Sequence, residues 1–422
     1  MYPNPQDVVP LPTRPDLDLY ATQANDLSAA CKARGRDGVR AWAEQWIDKQ
    51  GRLDAFTDFA WNQFSAAGGC AVSDAQFLIA RAYGFLSWPK FSQHIQALQL
   101  ADSPTTAFET AADAIVAGDL VTLERSLRDH PALVHARSTR EHRAALLHYV
   151  AANGVENYRQ KTPKNIAQIA EVLLKAGAEV DAVADMYGGN ATTLGLAATS
   201  IHPLKAGVQI SLIDLLLDHG ADMDRLGGAG RNVSIVNGCL ANGRGEAAEY
   251  LASRGARLDL ESASGVGRLD IVKGFFNRDG TLTANATAAQ MRDGFAWACQ
   301  YGRTAVVEFL LDHGIDVAAN LLGETGLHWA AFGAHLDTVQ LLLHRHAPVD
   351  VIDDRWEAPP LGWALHAWGN EPQTPLERYY AVVQMLVAAG ATVKSEWLEH
   401  PAIQADAKMV AALTPDDARD IT

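Results

Sequence analysis

Two groups of residues in this chain are of types that could do chemistry. The first is Tyr149, Asn153, Glu156, Tyr158, Arg159, Asp185, Tyr187 and His202, gathered in one short stretch. Acid–base catalysis needs a titratable pair within hydrogen-bond reach, and Glu156 with Tyr158 or His202 has suitable types. The competing reading makes Glu156 and Arg159 solvated loop charges that pair weakly. The second group is aromatic: Trp297, Trp329 and Trp363 recur at nearly even spacing, with Gln300, Tyr301, Phe332 and His366 close by and Arg355–Trp356 just ahead of Trp363. Aromatic and arginine side chains dominate the energetics of binding surfaces. Stronger signatures are missing from the sequence: no HExxH, no GxSxG elbow, no GxxxxGK phosphate loop and no GxGxxG. The His344-Arg-His346 triplet has the look of a metal pair, but no further ligands accompany it, so neither a metal nor a cofactor is expected.

Those side chains need elements to position them. A chain of 422 residues is too long for one compact core unless it is a repeat array. Apolar residues make up 48% and charged residues 20%, the balance of a folded soluble protein. The net charge of −15 argues against nucleic acid or an anionic membrane as partner, since both need a basic footprint. The start, MYPNPQDVVPLPTRP, has neither the basic nor the apolar segment of a signal peptide, and no apolar run reaches the length of a membrane span. A cytoplasmic location is the expectation. Cys31, Cys70, Cys239 and Cys299 are far apart without a CxxC pair, so reduced, mostly buried thiols are expected in place of a disulfide framework.

The sequence repeats itself. GETGLHWAAFGAH (323–335) followed by LDTVQLLLHRHAPVD has counterparts in ALLHYVAANG (145–154) with IAQIAEVLLKAGAEVD, and in TTLGLAA (192–198) with LIDLLLDHGADMD. Further copies are CLANGR (239–244) with EAAEYLASRGARLD, ESASGVGRLDIV (261–272), FAWACQYGRTAVVEFLLDHGIDV (295–317), and PPLGWALHAW (359–368) with VVQMLVAAGATV. With the weaker AADAIVAGDLVTLERSL (111–127) this makes about eight copies. Each is a helix–turn–helix that cannot bury its apolar face alone. Alanines such as Ala151, Ala197, Ala263, Ala298 and Ala330 let the first helices approach closely, and the Leu/Val-rich second helices pack behind them. Gly177, Gly220, Gly255, Gly314 and Gly390 end those second helices, where a left-handed residue is cheapest.

This skeleton is similar to the ankyrin pattern G-x-T-P-L-H-x-A-A, an apolar helix, then G-A-x-V-D. The LPxRPxL start and the DAQFLIARAYGFLSWPK segment resemble the N-terminus of bacterial ankyrin proteins. The resemblance implies an all-α ankyrin-repeat solenoid over 105–394, an N-terminal helical cap over 1–104 and C-terminal capping helices over 395–422. In the cap, Ser73–Gln76 has capping-box spacing, Ser87-Trp-Pro-Lys opens a second helix, and Trp42, Trp46, Trp61 and Phe64 read as core. The resemblance also implies that the inner helices line a concave binding side, and that His148 and His328, in the TPLH slot, tie turn to helix by hydrogen bonds. Aligning the copies puts Tyr149, Leu196, Gly238, Ser262, Trp297, Trp329 and Trp363 in one column, whose tryptophans are either packed between helices or an exposed aromatic floor. Insertions at 155–165, 199–209 and 369–379 fall at matching places and would wall the groove. The reading is a recognition module for a protein segment or a compact apolar ligand at the tryptophan end. The alternative is an enzyme acting on a small molecule from the second and third copies.

Overall fold

The computed structural model describes residues 7–12, 14–47, 50–225, 233–321, 323–370 and 372–414. By its contacts the chain divides into two compact units, Met1–Ala247 and Ala248–Thr422. Both are built from short helices with very little strand. Each unit is considered by itself.

The first unit begins with Leu17–Ala43, Gln50–Ala66, Val72–Ala82 and Trp88–Leu98. The first of these breaks at Gly35, where φ is +56°. Their core is strongly aromatic: Tyr20, Phe56, Phe64, Phe85 and Phe91 are all essentially inaccessible, with Trp42 nearly so and Trp46 and Trp61 packed at its edge. Ser73 does not begin a helix. The helix starts one residue earlier, with Ala71 as an N-cap that forms no side-chain bond, so the capping-box reading of Ser73–Gln76 is corrected. The helix after Ser87 does open as expected, with Pro89 in its first turn, where a missing N–H costs nothing. Cys31 of the first helix and Cys70, in the turn between the second and third, form a disulfide with Cα atoms 5.9 Å apart, a separation suited to the bond. That corrects the expectation of four reduced thiols. The spacing in sequence hid it, because two antiparallel helices bring distant positions together. Cys239 and Cys299 are free and buried, and burial pushes the Cys239 thiol up to about 12.

Paired elements follow: Pro104–Ala117 with Leu120–Asp129, Leu146–Ala151 with Ile166–Lys175, Thr193–Thr199 with Gln209–Asp218, and Ile235–Ala241 ahead of Gly245–Ser253. Leu146–Ala151 is a tight 3-10 turn instead of an α-helix, ended by Ala152 in a left-handed conformation where the 155–165 insertion begins. The 199–209 insertion carries its own helix, Ile201–Lys205, and is closed by Gln209, whose side-chain amide donates to the carbonyls of Ala197, Ala198 and Ser200.

The second unit stacks Leu260–Gly265 with Leu269–Lys273, Ala288–Gln300 with Thr304–Asp312, Gly326–Phe332 with Leu336–His344, and Pro360–Asn370 with Leu376–Ala388. Short helices Ser395–Leu398, Pro401–Gln404 and Ala407–Leu413 close it, while the remainder of the expected 395–422 cap lies outside the described residues. One apolar cluster runs through all these pairs, from Leu260 and Phe295 through Leu327 and Leu361 to Leu413. Burying a Leu or Phe in it is worth about 1.5–3 kcal/mol, and stability is shared between neighbouring pairs. Left-handed glycines end the second helices, for example Gly220 at φ +86° and Gly314 at +94°.

Candidate functional site

The first group of chemical residues lies in the first unit, and its frame is set by the repeat. His148 accepts from the Ala145 amide at Nδ1 (3.1 Å), and its Nε2 lies 3.0 Å from the Ala182 carbonyl of the next turn. Beside it, a row of charged side chains is buried between the helix Pro104–Ala117, the turn 137–145 and the insertion 155–165. Arg140 bonds to Glu109 at 2.7 Å and approaches Glu156 at 2.8 Å. Arg159 approaches Glu109 at 2.8 Å and bonds to Asp113 at 2.7 Å. The contacts of Arg140 Nε and Arg159 Nη1 are ion pairs by distance, not directed hydrogen bonds. His142 Nε2 lies 3.3 Å from Glu156, and Arg140 donates to the Tyr158 hydroxyl at 3.2 Å. Arg159 also lies over the rings of Tyr149 and Tyr158.

The Glu156 side chain has no exposure and that of Arg159 has 3%. The solvated-loop reading of these two residues is therefore corrected: the insertion folds inward as the short turn Asn157–Arg159 and delivers both charges to the interior. Isolated charges would be very costly there, so pairing through Glu156 Oε1 is what permits them, while Oε2 has no hydrogen-bond partner. Burial pushes the Glu156 carboxyl up, but Arg140, His142 and Arg159 outweigh it and hold it well below the usual carboxylate range. A general base works best with a pKa near the operating pH and with access to substrate, and Glu156 has neither. Tyr158 is pushed up to about 12, chiefly by burial. His202 sits on its own helix, half-buried, and is held low by burial and by Lys205 and Arg244; it takes no part in the network. Tyr187 instead donates to Asn153 at 2.7 Å, and Asn153 donates to the Leu196 carbonyl at 3.2 Å, which ties two copies together. Asp185 bonds through its amide to the His142 carbonyl. The structure thus joins Glu156, Tyr158, Arg159 and Tyr149 in a packed ionic core and leaves His202 apart.

The aromatic group lies in the second unit. Trp363 is buried at 3% exposure and is the hub. Its ring meets Trp329 at 5.0 Å, Phe332 at 6.0 Å and Trp356 at 4.8 Å between centroids, all edge-on, the favoured arrangement of aromatic quadrupoles. Its indole N–H donates to Asp353 at 3.0 Å. Asp353 is itself buried and accepts from the amides of Arg355, Trp356 and Ala358, which shapes the turn. Burial pushes its carboxyl up, but these donors outweigh it and bring it down to about 2. The column divides in its environment. Trp363 is core, Trp329 and Phe332 are half-buried, and Trp356 is 55% exposed with the Arg355 guanidinium 4.7 Å over its ring. Trp297, one copy earlier, is half-buried and donates to Glu261 at 2.8 Å. Gln300 and Tyr301 are half-buried at the end of the same helix, where the Gln300 carbonyl lies 2.7 Å from His335 Nε2; His366 is exposed. Among the described residues, no group of three or more His, Cys, Asp or Glu side chains is placed to hold a metal ion.

Residues 260–353 match the family model for ankyrin repeats in three copies. The chain contains ankyrin repeats. Its fold is all-α. Inversin of Gallus gallus is 40% identical over 62 residues, which is 14% of this chain and 6% of inversin's own length. The chain therefore spans only a small part of that relative. The ankyrin repeat domain of human ASB11 superposes with a TM-score of 0.35 at 20% identity, covering 67% of this chain and 99% of that one, and at that score the likeness carries no argument.

Within the ankyrin frame, the matched stretch contains Trp297, Trp329 and Asp353, and Trp356 follows just beyond its end. In the ankyrin TPLH slot His328 accepts from the Thr325 amide at 3.1 Å, and its Nε2 lies 3.2 Å from the Ala358 carbonyl, the same brace that His148 makes. Sequence reading missed Glu109, Asp113, Arg140 and His142, which complete the ionic core, and Asp353, which holds the aromatic hub. The legible signal for Glu109 was an acid set among the apolar residues of FETAADAIVA; for Asp353 there was none.

Proposed function

We propose that this chain recognises a protein segment, and that the recognition surface is the aromatic rim of the second unit. The observation that carries it is Trp356, a large ring held outward on the buried Trp363 with Arg355 across it. Ile352, in the same turn, is 50% exposed, so the apolar patch is wider than one ring. A contiguous apolar patch beside a cation is the usual chemistry of a binding surface. Trp329 and Phe332 extend the rim inward, and His366 offers a polar edge. A partner with apolar side chains flanked by an acid fits this surface.

The same reading keeps 1–104 as a helical cap, 105–394 as the array and a cytoplasmic setting. It assigns no nucleic-acid or membrane partner; no helix among the described residues is long and apolar enough to cross a membrane. An enzymatic role for Glu156, Tyr158 and Arg159 has no support in their geometry.

The test uses a displayed library of random peptides selected on the full chain. Peptides enriched on the wild-type chain should bind Trp356→Ala at least about tenfold more weakly, since an exposed aromatic anchor is worth over 1 kcal/mol in binding. Its thermal stability should barely move. Equal binding by the variant, or no enrichment, would show that the rim is not the recognition surface.

A further inference from the structure

The ionic core explains its own charges but not the polar space beside it. In the first unit a cavity of about 490 Å³ opens between the helix Trp88–Leu98 and the turn 138–143, with Lys90, Gln93, His94, Thr139, Arg140 and Arg143 on its walls. That is the size of a small-molecule site. His94 and Arg140 are each 2% exposed and form the inner wall. His94 Nδ1 lies 2.7 Å from the Thr139 hydroxyl, while Nε2 is buried without a protein partner. A neutral imidazole carries one N–H. When Thr139 donates to Nδ1, that hydrogen sits on Nε2 as a buried donor without an acceptor; in the other tautomer Nε2 is a buried acceptor without a donor, and either state is rare.

At the mouth, Lys90 and Arg143 are exposed, and among the described residues no carboxylate lies within ion-pair distance of either. Glu141, an acid on the same wall, is 2.6 Å from Arg81, so that pair adds no net charge. Arg143 is also held at φ +49°, in the left-handed region. It occupies the slot filled by Gly323 at +110° in a later copy, and by Asn190 and Glu357 in two others. A side chain there costs roughly 1–2 kcal/mol against glycine. Of these residues Arg143 is the one whose cation lines this cavity. The DAQFLIARAYGFLSWPK segment, which the repeat does not explain, supplies Lys90 and holds the turn in place: the Gly84 carbonyl accepts from the Glu141 amide at 3.0 Å, and Phe85 packs under Arg140.

We propose that this cavity binds a small anionic molecule through a phosphate or carboxylate group, clamped by Lys90 and Arg143 and hydrogen-bonded by Gln93, Thr139 and the His94 N–H. It is independent of the protein-recognition surface, since all its residues lie in the first unit. The test is calorimetric titration of the full chain at low salt with inorganic phosphate and, separately, with succinate. Saturable binding of one or both is expected, and which anion binds identifies the group recognised. Lys90→Ala and Arg143→Gly should each weaken it about tenfold, the worth of one charge-assisted hydrogen bond. Arg143→Gly should at the same time raise thermal stability by relieving the left-handed side chain, a combination a purely structural arginine would not give. No binding of either anion at millimolar concentration overturns the proposal. So does unchanged binding in both variants.

Discussion

Tyr149 and Trp363 occupy the same column of the ankyrin frame, one in each unit, and both are buried. Their surroundings differ completely. Tyr149 lies under Arg159 among paired charges, in a region where nearly every ionic group is saturated by another. Trp363 needs a single acceptor, Asp353, and the rings that pack on it, Trp329, Phe332, Trp356 and the His328 imidazole, bring no charged partner. The lesson is one of closure. A buried charge demands partners on all sides, so a site built from charges seals itself and becomes part of the scaffold. A buried indole asks for one hydrogen bond, so its neighbours are free to be half-exposed, and Trp356 can face outward.

The largest effects should come from cutting the centre of each region. Arg159→Ala leaves Glu109 and Glu156 buried with one arginine between them, and should cost the first unit about 3–5 kcal/mol. Trp363→Ala empties an aromatic hub and should cost the second unit a similar 3–5 kcal/mol. The two differ in how they are rescued. Combining Arg159→Met with Glu156→Gln should recover much of the first loss, because the charge is removed together with its partner. Filling the second with Leu should recover only the volume and leave Asp353 short of a donor. Hydrogen-exchange protection over 105–175 against 326–388 reads each unit separately. A cost under 1 kcal/mol for Arg159→Ala would break the comparison, since it would mean that water reaches the network.

Reduction of Cys31–Cys70 is the next largest. The bond spans 39 residues and lies wholly in the first unit. Breaking it should cost about 2–4 kcal/mol, chiefly by freeing the unfolded chain, and protection over 326–388 should not change. Thiol titration of the denatured, unreduced protein should find Cys239 and Cys299 alone reactive. Four reactive thiols would restore the reading made from sequence spacing.

What the sequence revealed and what it hid follows the same division. Gly220 and Gly314 were legible because each answers a local backbone need, and His148 and His328 because each braces the start of its own turn through Nδ1 before reaching the next turn through Nε2. Trp329 and Trp363 were legible as a column, but not as hub and rim, because exposure depends on how the turn at Asp353 lays Trp356 across the stack. Glu156 and Arg159 were misjudged as loop charges because their partners Glu109 and Arg140 come from other elements, and pairing over that distance leaves no periodic trace. The Cys31–Cys70 bond was missed for the same reason. Ser73 shows the opposite failure: the local pattern was present, yet the helix had already begun.

The smallest effect concerns acid. Burial, with Arg140 for one and Arg137 for the other, holds His94 and His148 in the first unit down to about 4. An unfolded histidine titrates near 6.5. Above that pH both states are neutral, and the histidines add no pH dependence. As pH falls from about 6.5 to about 4, the unfolded chain takes up protons that the folded unit refuses, so stability falls with pH across that window. At about 1.4 kcal/mol per pH unit the loss is bounded at about 3 kcal/mol for each histidine, and it precedes most of the contribution from Glu109 and Glu156, whose depressed carboxyls release their share as pH falls below the ordinary carboxylate range. His328 and His335 give the second unit the same sign. The first unit should nevertheless soften first, because its two histidines are the ones held furthest down, chiefly by burial. Exchange protection corrected for intrinsic rates, followed from pH 7 to pH 4, measures this. His94→Gln should flatten the slope over 105–175 by a fraction of the whole; an unchanged slope would show that His94 takes up its proton in the folded state, and that the cavity wall beside it is wetter than its burial implies.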